Sequence, residues 1–198
     1  MTTVFSALAT SVDGYITGPH PNPDQPLGAG GAPLFDWYTS GDTPSTQFPT
    51  FRLSAQSAVV FDAVAARSGA IIAGRKTYDD SRGWDGGGPH PSAPLFVLSH
   101  RPPPPNRASH TFISTGIADA IRAAMRAAGD KDVALMGSGV VGAALDAGML
   151  DEVIVHQVPI LLGGGVAFFG AVTHRVQVAL LDVIAAPDVT HMRYRVVR

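Results

Sequence analysis

Apolar runs of strand length, separated by helical patterns and turns, constrain this chain more than any other feature. Val4-Phe5-Ser6-Ala7-Leu8-Ala9, Ala70-Ile71-Ile72-Ala73-Gly74, Pro94-Leu95-Phe96-Val97-Leu98-Ser99 and Asp132-Val133-Ala134-Leu135-Met136 are too short for helices. Strands that read as continuous apolar runs are buried on both faces, as in a mostly parallel sheet covered by helices. The helical patterns fall between them. Leu53 to Arg67 reads as a helix closed by a left-handed cap at Gly69. Ile117, Ile121, Met125 and Ala128 mark a second, behind a Thr115 cap and ahead of Gly129. A third runs from a glycine turn through Leu145. Thr111 to Ser114 adds a short strand, and Glu152 to Leu162 a long one broken by Pro159. Gln177–Ile184 and His191–Val197 flank a turn near Pro187-Asp188, the pattern of an antiparallel hairpin at a sheet edge. The expected class is α/β, with a mixed, mostly parallel sheet and a C-terminal antiparallel hairpin.

One stretch breaks the alternation. Gly18 to Pro49 is loop-like, rich in Pro and Gly, with a short helix around Leu34 to Tyr38. A segment of that length is expected to act as a lid. The expected organisation is therefore one domain over 1–198 with a loop insertion at about 18–50.

Composition narrows the function. With 14 Lys+Arg against 16 Asp+Glu the net charge is −2, which argues against a nucleic-acid footprint. Charged residues make up 15%, below the ~25% of typical domains, as expected if a partner subunit covers part of the surface. The chain has no cysteine, so disulfides, thiolate metal sites and a cysteine nucleophile are excluded. The seven histidines show neither i,i+4 nor H-x-H spacing, and no metal site is expected. No apolar stretch reaches membrane-spanning length and no signal-peptide pattern opens the chain, so a cytoplasmic protein without membrane contact is expected.

Three motifs carry chemistry. Gly137-Ser138-Gly139-Val140-Val141-Gly142 is a literal G-x-G-x-x-G between an apolar strand and a helix, the setting of a pyrophosphate cradle. It sits too far along the chain for a doubly wound domain, and no acidic residue follows about 20 positions later, so the cradle is of another kind. Gly74-Arg75-Lys76-Thr77 follows a second strand, and its Thr77 can cap a short helix while offering a hydroxyl. Ser99-His100-Arg101 closes a third strand. Arg75 and Arg101 supply planar forks suited to a phosphate monoester. Ligands of open α/β sheets bind beyond the carboxyl ends of strands, where all three motifs lie. Arginines beside a pyrophosphate cradle point to NADPH rather than NADH.

The order Ser11-Val12-Asp13-Gly14-Tyr15-Ile16, Gly74-Arg75-Lys76-Thr77-Tyr78, Val97-Leu98-Ser99-His100-Arg101, Gly137-Ser138-Gly139 and Pro159-Ile160-Leu161-Leu162-Gly163 resembles the dihydrofolate reductase-like superfamily. Within it, the chain looks like the C-terminal reductase domain of the riboflavin-biosynthesis deaminase-reductase RibD, in stand-alone form. The resemblance implies a three-layer fold with NADPH across the C-terminal edge of the sheet. By position, it implies that Gly74, Arg75 and Thr77 meet the 2′-phosphate and pyrophosphate, and that Ser99 and Arg101 hold the ribose phosphate. Gly137, Ser138, Gly139, Val140 and Val141 would cradle the pyrophosphate through backbone amides, and Ala9 and Ile16 would frame the nicotinamide. Asp13 would lie beside the substrate as an orienting or proton-supplying carboxylate, with Trp37, Trp84 and Gly163 lining the pocket. A homodimer is implied as well. Two departures stand out: if Trp37-Tyr38 is the family's Trp-aromatic pair, the pterin-binding acid position holds Leu34, and no cysteine-bearing deaminase half is present.

The expected activity is an NADPH-dependent reductase acting on a small nitrogen heterocycle or its ribosylated derivative, similar to 5-amino-6-(5-phosphoribosylamino)uracil reductase. The alternatives are a non-catalytic nucleotide- or flavin-binding protein on the same fold and, behind it, a dihydrofolate reductase.

Overall fold

The computed structural model describes residues 2–105 and 109–198. In chain order the elements are β1 (Val4–Thr10), β2 (Tyr15–Thr17), a 3-10 helix (Ala32–Tyr38), β3 (Thr43–Pro44), β4 (Arg52–Leu53), α1 (Ala55–Arg67), β5 (Ser68–Gly74) and α2 (Arg75–Asp80). A turn at Arg82–Gly86 leads to β6 (Leu95–Leu98), β7 (Thr111–Ile113), α3 (Ile117–Ala128), β8 (Asp132–Met136) and α4 (Ser138–Asp146). The chain ends with β9 (Glu152–Gln157), β10 (Val166–Ala167), β11 (Val178–Ala186) and β12 (Val189–Val196).

Eight strands form one sheet in the order β11-β12-β9-β1-β8-β5-β6-β7. The six strands from β9 to β7 are mutually parallel, and β12 and β11 close the sheet antiparallel. This is the mixed, mostly parallel α/β sheet with a terminal hairpin that the apolar pattern predicts. β1 lies inside the sheet, pairing Val4 with Val133 of β8 and Ala9 with His156 of β9.

Helices cover both faces because each strand is apolar on both. Ala70 and Ile72 of β5 join the core under α3 and α4, with Ile121, Ala124, Val141 and Ala144. Ile71 and Ala73, pointing the other way, pack with Tyr78 of α2. A third cluster gathers Ala9, Leu34, Trp37, Leu53 and Ala58 beneath α1 and the Ala32–Tyr38 helix. Sequence period and layer structure agree: alternate residues of one strand feed opposite cores.

Several local expectations change. α1 ends at Arg67 and the chain enters β5 at once, so Gly69 is strand rather than a left-handed cap. Its glycine is a matter of space, since a Cβ there would lie 2.5 Å from the Lys131 Cβ. Gly116, not Thr115, caps α3; the Thr115 hydroxyl bonds Asp119 instead. β9 stops at Gln157, and beyond Pro159 the chain turns to pair Ile160 O with the Val12 amide. The 18–50 stretch holds more structure than its composition implies, including the pairing of β3 with β4.

Candidate active site

The parallel strands end on one edge, and the three motifs meet there. Gly74 leaves β5, Ser99 leaves β6 and Gly137 leaves β8. Gly137 takes φ +104°, a conformation open to glycine, and a Cβ on it would lie 2.7 Å from Thr77 Oγ1. The Gly74 and Gly137 motifs are thus in contact through the Thr77 hydroxyl. Thr77 is the third residue of α2 and does not cap it; Gly74 holds the cap position. Gly139 is exposed with nothing near its Cα. Gly142 does a different job, since a Cβ there would strike Ala171 at 2.7 Å.

The first-turn amides of α4, those of Ser138, Gly139 and Val140, have no intrahelical acceptor and face the edge with the positive end of the helix dipole. The Val141 amide is already committed to Gly137 O at 3.1 Å. Val140 and Val141 bury their side chains in the core, leaving only backbone for a ligand.

A polar cluster stands at the ends of β5 and β6, next to β8 in the sheet. Arg75 donates through Nη1 to Ser99 Oγ at 3.3 Å and to Pro102 O at 2.9 Å. Ser99 Oγ accepts from the Arg101 amide and donates to the Arg101 carbonyl, folding the strand exit back on itself. Arg75, Ser99 and Arg101, 24 and two residues apart in sequence, form one group.

Asp13 follows β1, on the opposite side of β8 from β5 and β6. Its carboxylate accepts from the amides of Leu162 (3.1 Å) and Gly163 (2.7 Å). The Ser11 hydroxyl, chiefly, and these two amides hold its pKa below the ordinary carboxylate value, so it is ionised at neutral pH. Asp13 and Gly163 are therefore joined, and Asp13 is an acceptor rather than a proton source. Ile16 of β2 packs with the cluster under α3 and α4, and Ala9 of β1 with the cluster beneath α1.

The two tryptophans sit in different clusters, Trp37 with Ala9 and Leu162 and Trp84 against Tyr78. Trp37 is 1% exposed, stacked on Tyr38 at 4.1 Å, and its indole N–H has no acceptor among the described residues. Trp84 packs on Tyr78 at 6.4 Å within the Arg82–Gly86 turn, where five successive residues take positive φ. Leu34 is fully buried and Asp36 is exposed, so no carboxylate from this helix enters the core.

The 18–50 segment is fastened at both ends. Lys76 Nζ donates to Pro21 O at 2.9 Å and Arg82 pairs with Asp24, tying residues 21–24 to the end of α2. Further on, Asp62 of α1 accepts from the Thr46 amide and hydroxyl. Ahead of both anchors the chain approaches the 163–165 loop, where a Cβ on Gly164 would lie 3.6 Å from Pro19 Cγ. The segment spans the strand ends from Gly163 to α2.

Sequence reasoning missed one internal feature. His156 and His191 face each other across β9 and β12 with their Nδ1 atoms 2.8 Å apart, and His191 Nε2 lies 3.0 Å from Ser57 Oγ. Both are buried against Trp37. Burial, reinforced by the His191 charge, pulls the His156 pKa down to about 3, and burial pulls His191 down to about 4. Only the hairpin register could have revealed the pair. Among the described residues no group of three or more His, Cys, Asp or Glu stands together as a metal site. No helix there is long and apolar enough to cross a membrane.

The model of the RibD C-terminal domain family matches residues 2–191. The chain belongs to this family. Solved structures share the dihydrofolate reductase-like fold. A putative riboflavin biosynthesis protein from Shewanella sp. PV-4 is similar at TM-score 0.70 and 25% identity, with 100% of both chains covered. A pyrimidine reductase-like protein from Corynebacterium diphtheriae follows at 0.61 and 16%, covering 100% of this chain and 92% of the other. The Thermotoga maritima diaminohydroxyphosphoribosylaminopyrimidine deaminase/5-amino-6-(5-phosphoribosylamino)uracil reductase gives 0.63 and 13%, covering 99% of this chain but 57% of its own. The chain thus matches only part of that longer protein. The curated proteins contain no match.

Proposed function

We propose that the protein is an NADPH-dependent reductase of a small nitrogen heterocycle or its ribosylated derivative, a reaction of the riboflavin-pathway type. The observation that carries the reading is that Arg75, Ser99 and Arg101 form one polar group at the ends of β5 and β6, beside β8 and the N-terminus of α4 that follows it. The guanidinium group matches a phosphate monoester, and the helix N-terminus with its glycine approach matches a pyrophosphate. These residues fit a phosphorylated nicotinamide dinucleotide, which supplies hydride when bound. The chain contributes the rest: Thr77 and Ser138 place hydroxyls at the cradle, and the 18–50 segment covers the strand ends and excludes water. Asp13, ionised and held by the Leu162 and Gly163 amides, orients the rim of the substrate pocket; a water is then the proton donor.

The test is Arg75→Ala. NADPH affinity should fall roughly 10- to 100-fold, the loss of a charged hydrogen-bond partner, with NADH affinity unchanged. Equal losses for both cofactors refute the assignment.

A second reading, a nucleotide- or flavin-binding protein without turnover, is favoured by one observation: the Asp13 carboxylate is bonded to loop amides and holds no proton to give. Saturable NADPH binding with no loss of 340 nm absorbance on pyrimidine, pterin or flavin substrates selects it. Buried Leu34 argues against dihydrofolate reduction on either reading.

The same proposal includes a homodimer. β11 is an edge strand of nine residues whose Val178, Leu180, Leu181 and Val183 are between 43% and 57% exposed. A long apolar edge is a template for another chain unless it is covered, and a second copy provides the cover. A monomer in sedimentation at micromolar concentration overturns this part.

A further inference from the structure

Asp79 has no role in the reading above, yet it is the residue that joins its two arginines. Its Oδ1 accepts from Arg75 Nε at 2.8 Å and its Oδ2 from Arg101 Nη2 at 2.7 Å. Its side chain is 35% exposed, between the 17% of Arg75 and the 63% of Arg101. With Nε on Asp79 and Nη1 on Ser99 and Pro102, Arg75 keeps its Nη2 donors without an acceptor among the described residues. Arg101 uses Nη2 on Asp79 and its remaining side-chain donors have no acceptor there. One carboxylate therefore fixes both forks while leaving donors on each for another anion.

We propose that Asp79 is an internal counter-anion that sets how tightly this cluster holds a phosphate monoester. The proposal rests on the reading of Arg75, Ser99 and Arg101 as a phosphate site. Two guanidiniums and one carboxylate carry a net charge of +1. A phosphate dianion would leave the group negative, with Asp79 its nearest like-charged neighbour. Asp79 thus does two things: it keeps the arginines from splaying into solvent, and it opposes the anion they recruit. The charge can be removed while the bond to Arg75 is kept and the bond to Arg101 is given up. Asparagine keeps a carbonyl oxygen for Arg75 Nε and loses the repulsion, so Asp79→Asn should bind phosphate more tightly than the natural chain. At a separation of about 6 Å, two charges against one in water correspond to roughly a tenfold gain at low salt. That gain fades as ionic strength rises past ~0.1 M, where the screening length falls to about 10 Å.

Asp80 provides the control. It is the next residue, carries the same charge and pairs with Lys76 at 2.7 Å, outside the cluster. The experiment is calorimetric titration of adenosine 2′,5′-bisphosphate and of ADP into the natural chain, D79N, D80N and R75A, at two salt concentrations. D79N should raise the preference for the bisphosphate about tenfold at low salt, and D80N should leave it within about twofold. An unchanged or weakened preference in D79N, or an equal gain in D80N, overturns the proposal. The underlying reading fails separately: it falls if R75A leaves the preference intact or the natural chain has none. Where R75A abolishes the preference and D79N does not raise it, Asp79 alone is misassigned. Asp79→Ser, also neutral and smaller, repeats the measurement if D79N does not fold.

Discussion

Acid should unfold this protein through the His156–His191 pair before its carboxylates titrate. With Nδ1 atoms 2.8 Å apart, one ring donates and the other accepts, so the two are neutral and in opposite tautomers. Protonating the accepting ring places two N–H groups nose to nose beside Trp37 and Ser57, and protonating the donating ring leaves a buried charge. In the folded chain the pKa values are about 3 and about 4, whereas an unfolded histidine titrates near 6.5. Folded values below the unfolded one mean that stability is complete above about pH 6.5 and is lost as pH falls toward 4. At pH 5 each unfolded histidine gains about 2 kcal/mol by binding a proton that the native state refuses, so the pair lowers stability by about 4 kcal/mol relative to pH 8. The result at pH 5 is insensitive to the native values, since both lie at least a unit lower. Asp13, Asp62 and Asp119, all held below the ordinary carboxylate value, remain ionised there and contribute only in stronger acid. Urea unfolding at pH 5, 6, 7 and 8 measures the effect as a shift in midpoint at constant slope. The approach to pH 5 should reach about 2.7 kcal/mol per pH unit, two protons' worth. Stability flat to within ~1 kcal/mol over this range, or a His156→Gln/His191→Gln double variant that keeps the full pH slope, refutes the reasoning. Histidine C2-proton titration by NMR, with neither resonance moving above pH 5, checks the same point without substitution.

Other perturbations separate roles at the strand ends. Gly137→Ala forces a Cβ within 2.7 Å of Thr77 Oγ1 at φ +104°; it should cost about 1–3 kcal/mol of stability and abolish dinucleotide binding, read by thermal melting and fluorescence titration. Gly139→Ala meets nothing within 4 Å, so it should fold normally and lose affinity alone, which a melting curve and a titration together establish. Asp13→Asn removes the charge that the Leu162 and Gly163 amides bond; hydrogen exchange at those two amides should accelerate, while exchange in β8 stays unchanged. Leu180→Lys on the exposed face of β11 should shift sedimentation toward the monomer without lowering the melting temperature.

The fold was legible because strand and layer both follow from apolar runs. Ile71 and Ile72 are adjacent in sequence and lie in different cores, and no polar alternation was needed to announce it. Caps were less legible. Gly69 and Thr115 are the residue types that helix ends favour, but Gly69 serves a close approach of Lys131 and Thr115 serves Asp119, tertiary and side-chain demands that a local pattern does not carry. At the site, the cationic and glycine motifs were readable one by one, since each follows a strand. The Thr77 contact with Gly137, the Asp79 bridge and the His156–His191 pair were not. Each depends on register or on the side-chain path between elements, which spacing does not encode.

The placement of β1 has a consequence for how the chain comes to be folded. Its partners are β8 and β9, so Val4 waits for Val133, and Phe5 for Glu152. At ~5–20 residues per second of synthesis, the first strand leaves the ribosome roughly ten seconds before either neighbour exists. Val4, Phe5 and Leu8 are meanwhile exposed in a nascent chain that has nothing to pair them with. Folding is thereby deferred until most of the polypeptide is made, and demand for a holding chaperone should concentrate in that interval.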